Sequence, residues 1–350
     1  MTENGEEKSK TVSALSAEAA HAQMMSMITG FWVSQIVHAA AVFRLADHVH
    51  DGTTRPDDIA RLESADPDAV RRLMRTCASL GLLRSDDGVR YAATDLLSTL
   101  RADHPASLRA LAVSQASPGV WRPWGLLTDA IRTGRSQTSE ALGTDLFTYY
   151  EQHLDEAGAF SASMAHMSVF VHAEVTRALD TSNNRVAVDV GGARGELVQS
   201  LMTANPGLRG VVLDKEHVVP DALSAAESAG LADRFSAVGG DFFESVPKGD
   251  LLLLKSVLHD WEDERAVRIL TSCAAALVPG GRVVVVEHLL GEVGEPGFAP
   301  LQDINMLTLV DGRERDLAAF DALLAAAGLR RTKVTPAGGM AIIEAVAATS

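Results

Sequence analysis

A glycine-rich turn followed by a single acid is the part of this sequence best suited to bind a small molecule. The turn is Gly191-Gly192-Ala193-Arg194-Gly195, and Asp214 follows it by about 20 residues. Glycine is needed where the backbone adopts φ > 0 or where a ligand comes close to it. A carboxylate at this distance can accept hydrogen bonds from both hydroxyls of a ribose. The spacing therefore predicts a site for an adenosine-type ligand.

The compactness of the turn indicates which nucleotide fits. Gly191, Gly192 and Gly195 stand too close together for the dinucleotide fingerprint, and the lysine-serine pair of a phosphate loop does not follow. A ligand with a ribose but without phosphate fits better, and S-adenosylmethionine is the common one. Taken alone, the motif is also compatible with an ordinary glycine turn of an α/β domain.

The flanking segments read as strands and helices of an α/β sheet. Residues 186–190 form a β-branched run, and apolar residues recur at helical spacing from Glu196 onward. Four leucines at 251–254 predict a strand buried on both faces, so residues 255–261 emerge at its carboxyl end, where open α/β sheets bind ligands. Residues 282–287 predict a third strand, which also ends in an acid, Glu287.

These motifs, taken together with others, resemble the S-adenosylmethionine-dependent O-methyltransferases of the plant caffeate and bacterial polyketide type. The motifs that carry the resemblance are Val188-Asp189-Val190-Gly191-Gly192, Asp214, Gly240-Asp241-Phe242, Lys255, His259-Asp260-Trp261, Pro279-Gly280-Gly281-Arg282 and Gly312-Arg313-Glu314-Arg315. They span almost the whole chain. Each is weak alone, but their order and spacing together are specific.

The resemblance implies roles for named residues. His259 would be the general base, with Glu287 and Glu314 flanking its imidazole. The cofactor site would contain Asp189, Gly191, Gly192, Gly195, Asp214, Gly240, Asp241, Phe242, Lys255 and Ser256. The acceptor site would contain Phe160, Met164, Met167, Ser168, Asp260, Trp261, Asn305 and Met306. The cofactor would be S-adenosylmethionine, and no metal site is expected.

The chemistry of His259 agrees with this role. A phenol has a pKa of about 10, so an imidazole can take its proton as the oxygen attacks the sulfonium methyl. The alternative is a structural histidine near a helix start, with Asp260 or Asp263 as the cap. The acceptor-site assignment of Phe160, Met164 and Met167 also has an alternative, because methionines and aromatic residues at helical spacing are common in an ordinary core.

Two positions depart from the family pattern. Ala193 stands where the family usually has a third glycine, and we expect it to be tolerated only if its φ is negative. Lys215 and Glu216 replace the usual aliphatic-proline pair after the ribose acid, which brings charge to the rim of the adenosine site.

The sequence divides into four parts. We predict a disordered tail at 1–12, a helical, winged-helix-like dimerisation domain at 13–115, linking helices that roof the substrate cavity at 116–180, and a doubly wound, Rossmann-like catalytic domain at 181–350. The fold class is therefore α/β in the carboxyl-terminal part, with a mainly helical amino-terminal domain.

The amino-terminal part admits two interpretations. Apolar residues at helical spacing between 13 and 49, among them Phe31 and Trp32, favour a homodimer interface, although they equally fit a helix covering its own core. The order helix, helix, hairpin after residue 54, with Asp87-Gly88 at the hairpin turn, is typical of DNA-binding winged helices. Acids are mixed with the arginines of the second helix, and the resemblance assigns this region to dimerisation.

Composition indicates the size of the core, the kind of partner and the compartment. The 350 residues are 47% hydrophobic, enough for more than one core, and a net charge of −15 disfavours nucleic acid as a partner. The two cysteines, Cys77 and Cys273, form no metal or disulfide pattern. No signal peptide and no apolar run of about 18 residues is evident, so we expect a cytoplasmic protein with no membrane partner.

Abundant alanine, arginine and aspartate are typical of GC-rich actinobacterial sequences. This composition favours an aromatic natural-product intermediate as the methyl acceptor.

Two other functions remain open. One is a metal-assisted C-methyltransferase of 2-oxo acids on the same scaffold, with His259 and Asp260 as ligands. The segment before Gly312 contains no further histidine, so His288 or Asp311 would have to complete the metal site. The other is a non-catalytic binding protein, against which the joint presence of His259, Glu287 and Glu314 argues.

Overall fold

The computed structural model describes residues 15–348, which form two compact units that divide between His104 and Pro105. The division lies earlier than the boundary expected at residue 115. The predicted disordered tail lies outside the described residues.

The first unit is mainly helical. Its elements are α1 (Ala17–Ile28), α2 (Gly30–Val42), α3 (Leu45–His50), α4 (Pro56–Leu62), α5 (Pro67–Ser79), β1 (Leu83–Arg84), β2 (Ala92–Ala93) and α6 (Asp95–Ser98). Asp66 is the N-cap of α5 and accepts a hydrogen bond from the Ala69 N–H. Strands β1 and β2 pair antiparallel, and Asp87 accepts backbone N–H groups in the turn between them. The predicted helix, helix, hairpin order is confirmed.

Helices α1 and α2 expose much of their apolar surface. The exposed side chains are Met24, Met25, Met27, Ile28, Phe31, Trp32, Val33 and Val42. Within residues 15–348 no single helix is long and apolar enough to cross a membrane, although α1 and α2, which meet at a 42° bend, reach that length and composition as a pair.

The second unit contains a sheet with helices on both faces. Its elements are α7 (Arg109–Ser114), α8 (Pro118–Trp124), α9 (Leu127–Thr133), α10 (Thr138–Leu142), α11 (Leu146–Gln152), α12 (Leu154–Ala178), β3 (Val186–Val190), α13 (Glu196–Ala204), β4 (Arg209–Asp214), α14 (Val219–Ser228), β5 (Phe235–Gly239), β6 (Gly249–Lys255), a 3-10 turn (Leu258–Asp260), α15 (Asp263–Ala276), β7 (Leu277–Glu287), α16 (Ala299–Leu309), α17 (Leu317–Ala326), β8 (Leu329–Ala337) and β9 (Met340–Ala347).

The strand order of this sheet is β5-β4-β3-β6-β7-β9-β8. Strands β3 to β7 pair in parallel, whereas β9 runs antiparallel to β7 and β8. The chain leaves β3 toward β4 and later returns to the other side of β3 as β6. Strand order therefore reverses between β3 and β6, and ligands bind at the carboxyl ends of strands at such a reversal.

Alternate residues of each central strand enter opposite cores. Leu252 and Leu254 pack with α15 and α17 on one face, and Leu251 and Leu253 pack with α12, α13 and α14 on the other. All four leucines are fully buried, as their unbroken run predicted. Both cysteines are buried free thiols within helices, which is also as expected.

Candidate active site

The glycine turn connects β3 to α13 at the carboxyl edge of the sheet. Gly195 has φ +76°, and a Cβ added there would lie 2.6 Å from Cγ2 of Val212. A Cβ at Gly192 would lie 2.5 Å from Cγ of Asp189. Both positions therefore exclude larger residues for steric reasons within the protein, and the turn presents bare backbone at the strand end.

Ala193 differs from expectation. Its φ is +50°, in the left-handed region, so the negative φ on which we expected its tolerance to depend is not what the structure has. The strain is of the order of 1 kcal/mol for a residue with a Cβ. In this conformation the Ala193 N–H donates to Oδ2 of Asp214 at 2.8 Å. The alanine therefore keeps the backbone shape that a glycine would adopt.

Asp214 ends β4, and its carboxylate accepts hydrogen bonds from two backbone N–H groups. Besides the Ala193 bond, its Oδ1 accepts the Lys215 N–H at 2.7 Å. Asp214, Lys215, Gly240, Asp241 and Phe242 line one cleft at the ends of β4 and β5. The structure thus brings together the residues predicted to bind ribose and adenine, with the charge of Lys215 at the rim.

A second polar group lies at the ends of β3 and β6. Burial raises the pKa of Asp189 to about 7, and the nearby Lys255 ammonium opposes the shift. Burial lowers the pKa of Lys255, and Asp189 opposes that shift in turn. Lys255 Nζ donates to Oγ of Ser168 at 3.0 Å. Ser168, which the sequence assigned to the acceptor site, is therefore bonded to a predicted cofactor residue.

These two groups fit an adenosine that carries an amino-acid tail. Asp214 supplies a carboxylate for a ribose, and Phe242 supplies an aromatic ring in the same cleft. Lys255 supplies an ammonium and Asp189 a carboxyl group for a zwitterionic tail. The bare glycine turn between them lets a ligand approach the backbone.

His259 lies on the 3-10 turn after β6, and Glu287 at the end of β7 fixes that turn. Oε1 of Glu287 accepts the N–H groups of Val257 and Leu258 at 3.0 Å and that of His259 at 3.4 Å. Ser256, the first residue after β6, has φ +53°. The carboxylate thereby satisfies backbone donors that the strand end leaves unpaired.

The imidazole itself is surrounded by acids. His259 Nδ1 lies 2.8 Å from Oε1 of Glu314 and 3.5 Å from Oε2 of Glu287, and Nε2 lies 3.5 Å from Oδ1 of Asp260. Burial alone would lower the pKa of His259, but the charges of Glu287, Asp260 and Glu314 outweigh it and raise the pKa to about 10. Burial raises the pKa of Asp260.

A buried arginine, to which the sequence gave no role, holds the same turn. Arg315 donates to the carbonyls of Leu258 at 2.9 Å and Trp261 at 2.7 Å, and pairs with Asp263. The Arg313 N–H donates to the His259 carbonyl at 2.8 Å. Arg315 stands beside Glu314 in a motif that the sequence singled out, but its burial could not be read from the motif.

The acceptor candidates are dispersed. Phe160, Met164, Met167 and Ser168 share one helix, α12, and Phe160 stacks on Tyr150. Trp261 packs against Phe147, Phe242 and Phe243. The Asn305 side chain accepts a hydrogen bond from Trp124 Nε1 at 2.9 Å, and Met306 is buried.

Among the described residues, one group of three has the spacing of metal ligands: His259, Glu287 and Glu314, with ligand atoms within 4.8 Å of one another. Oε1 of each glutamate already binds the turn or the imidazole. The residues suggested for a facial metal site have other partners, since His288 Nδ1 contacts the Gly339 carbonyl and Asp311 accepts the Ser136 N–H.

Comparison with known proteins identifies the family. Residues 124–330 match the O-methyltransferase domain, and residues 25–103 match the O-methyltransferase dimerisation domain.

Relatives match over most of the chain. The chain is 32% identical to the phenazine O-methyltransferase PhzM of Lysobacter antibioticus, covering 99% of both proteins. It is 34% identical to the mitomycin biosynthesis 6-O-methyltransferase of Streptomyces lavendulae, covering 91% of this chain and 92% of the relative. It is 31% identical to the 8-amino-8-demethylriboflavin N,N-dimethyltransferase of Streptomyces davaonensis, covering 89% and 91%.

Solved structures agree. The LaPhzM crystal structure has a TM-score of 0.90 at 32% identity, covering 94% of this chain and 99% of that one. An O-methyltransferase of neocarzinostatin biosynthesis, in complex with S-adenosylmethionine and 2-hydroxy-5-methyl naphthoic acid, has a TM-score of 0.79 at 32% identity, covering 90% and 96%. The resemblance and the α/β fold expected from the sequence are confirmed. The chain belongs to the S-adenosylmethionine-dependent O-methyltransferase family.

Proposed function

We propose that this enzyme methylates a hydroxyl group of an aromatic natural-product intermediate, with His259 as the general base. The observation that carries the proposal is the 2.8 Å contact between His259 Nδ1 and Glu314, together with the bonds from Glu287 to the turn that presents the histidine. The relatives named as a phenazine O-methyltransferase and a mitomycin biosynthesis 6-O-methyltransferase support this class of acceptor.

S-adenosylmethionine supplies a methyl group on a sulfonium that is already activated toward attack. Asp214 and the cleft at Gly240–Phe242 would hold its adenosine part, and Lys255 with Asp189 would hold its amino-acid part. Because the leaving group needs no further activation, the main contribution of the protein is to hold the reacting groups in line.

His259 would accept the acceptor's proton at Nε2. An ionised Glu314 can only accept a hydrogen bond, so the Nδ1 proton stays between the ring and Glu314. The pKa of His259, about 10, is close to that of a phenol, so the proton moves between groups of similar basicity. A positioned general base contributes about 10²–10⁴-fold to the rate when it is unprotonated, and at a pKa of about 10 the unprotonated fraction of His259 grows as the pH rises above neutral.

The homodimer is part of the proposal. Helices α1 and α2 expose Phe31, Trp32 and the methionines around them, and residues 25–103 match a dimerisation domain. A second copy of this surface would cover it. Size-exclusion chromatography with light scattering tests the assembly, because a monomer at micromolar concentration would contradict it.

The metal-assisted alternative has less support. His288 and Asp311, the residues that would have to complete a facial metal site, have other partners, and the two glutamates already serve the histidine turn. The imidazole–carboxylate arrangement favours proton transfer.

The test is transfer of a labelled methyl group to a panel of phenols, hydroxynaphthoates and hydroxyphenazines in the presence of chelator. We expect the chelator to leave turnover unchanged and NMR to show the labelled methyl group on oxygen. Turnover that requires added iron or zinc, or a label on carbon, would replace the proposal with the 2-oxo-acid reaction. A label confined to nitrogen would place the enzyme with its N-methylating relative.

A further inference from the structure

His172 on α12 carries a buried nitrogen without a partner. The residue is 8% exposed, and within the part of the chain that the structure describes its Nε2 has no hydrogen-bond partner. A buried polar atom left unpaired destabilises the protein, so a ligand that pairs with it is favoured. Burial, followed by the nearby Lys255 ammonium, lowers the pKa of His172 to about 3, so the ring is neutral. It therefore offers hydrogen bonds without adding charge.

The surroundings of His172 identify what would pair with it. Ser168 precedes it by four positions on α12, so both side chains lie on one helix face. Ser168 accepts a hydrogen bond from Lys255, the last residue of β6. Lys255 is close enough to both His172 and Asp189 for their charges to interact. His172 thus belongs to a polar cluster at the point where strand order reverses.

The chemistry of this cluster matches one type of ligand. Its members are an ammonium, a hydroxyl, a carboxyl group and a neutral imidazole, contributed by Lys255, Ser168, Asp189 and His172. An α-amino acid carries a carboxylate that accepts hydrogen bonds and an ammonium that donates them. The hydroxynaphthoate and hydroxyphenazine acceptors proposed above do not carry an ammonium and a carboxylate on one carbon.

We propose that His172 binds the α-amino-acid end of the cofactor through Nε2, beside Lys255 and Ser168. The inference rests on the cofactor-site assignments proposed above and adds a residue that no motif in the sequence indicated. It also moves Ser168 from the acceptor site to the cofactor site.

Two ligands separate this role from a structural one. S-adenosylhomocysteine carries the amino-acid tail, whereas methylthioadenosine has the same nucleoside without it. Calorimetric titration of the full-length protein with each ligand compares wild type with His172→Phe. We expect the variant to bind S-adenosylhomocysteine about tenfold more weakly, the effect of losing one hydrogen bond to a charged group. Methylthioadenosine should bind unchanged, which also shows that the variant is folded.

Two further variants sharpen the test. His172→Gln places an amide nitrogen near the position of Nε2, so it should retain most of the affinity for S-adenosylhomocysteine. Asp214→Asn should weaken both ligands, which verifies that methylthioadenosine occupies the adenosine site.

The outcomes are distinguishable. If His172→Phe binds S-adenosylhomocysteine as wild type does, or loses affinity for both ligands equally, the inference is overturned. If wild type binds neither ligand, the cofactor-site assignment itself fails, whatever the variants do.

Discussion

Nδ1 of His259 lies 2.8 Å from Oε1 of Glu314, a residue 55 positions later in the chain. The contact occupies Nδ1, so Nε2 is the ring nitrogen that would face the proposed acceptor. Because Glu287 holds the backbone of the same turn, both glutamates act on one histidine, one through its ring and one mainly through its peptide groups. We therefore make separate predictions for His259, for the acids that raise its pKa and for the arginine that holds its turn.

Replacing His259 with alanine should remove the base without disturbing the cofactor site. We expect turnover to fall about 10²–10⁴-fold, while S-adenosylhomocysteine binds with wild-type affinity by calorimetry. His50→Ala, which removes an exposed histidine of α3, is the matched control and should change neither quantity. Turnover within twofold of wild type would exclude His259 as the base.

The rate should rise with pH. The acids around His259 raise its pKa to about 10, so the unprotonated base becomes more abundant throughout the neutral and mildly alkaline range. We expect kcat/KM to increase about tenfold per pH unit between about pH 7 and 9. Glu314→Gln removes one of the charges that raise the pKa, so its profile should shift to lower pH. A flat profile in wild type would contradict a base of this pKa.

The same pKa shift predicts a stability change. The pKa of His259 in the folded protein lies above the ordinary histidine value of 6.5, so its contribution to stability is full below pH 6.5 and is lost as pH rises toward about 10. Unfolding by urea should therefore show a larger decline in wild type than in His259→Gln across this range. Equal declines would show that other groups dominate.

Asp214 should control cofactor affinity. Its carboxylate is positioned by the Ala193 and Lys215 N–H groups in the cleft with Phe242. Asp214→Ala should weaken S-adenosylhomocysteine binding by at least about tenfold, since a bond to a charged group is lost. Asp221→Ala, on the exposed surface of α14, is the control. Normal binding by Asp214→Ala would reject the ribose assignment.

Arg315 should act as a positioning residue for His259. Arg315→Met leaves the carbonyls of Leu258 and Trp261 without their donor, and we expect the free energy of unfolding to fall by about 2–3 kcal/mol because these acceptors stay unsatisfied. Where the variant stays folded, kcat should fall while the KM for the cofactor is unchanged, and Arg315→Lys should recover part of kcat. Replacing the exposed Arg313 with methionine is the control. A parallel change of KM and kcat in Arg315→Met would indicate a general structural defect.

Ala193→Gly should relieve backbone strain. At φ +50° the Cβ costs about 1 kcal/mol, which offsets or exceeds the added flexibility of glycine in the unfolded chain. We therefore expect no loss of stability in urea and unchanged S-adenosylhomocysteine binding. Ala232→Gly, at an exposed turn residue outside the left-handed region, should lose about 0.4–1 kcal/mol. Equal losses in both variants would contradict the strain.

Local pattern was enough to locate the elements that carry the site. A run of apolar residues predicts a strand buried on both faces, and closely spaced glycines predict a turn with positive φ. These local patterns identified β6, β3 and the glycine turn. The parallel sheet then follows, and with it the edge at which Asp214, Lys255 and His259 emerge. Resemblance supplied the pairing of His259 with Glu287 and Glu314, which spacing alone does not.

Tertiary structure decided what those residues touch. Ala193 adopts a left-handed conformation that its side chain disfavours, because the turn and the Asp214 contact impose it. Arg315 is buried against backbone carbonyls, and Ser168 reaches Lys255 from a helix 87 positions away in sequence. His172 becomes chemically significant only because burial leaves its Nε2 unpaired. Composition and periodicity predict which segments are buried, so the sequence alone determined the fold and the edge of the sheet that carries the site. The partners of a buried polar group depend on how distant segments pack, so only the tertiary structure determined the chemistry at that edge.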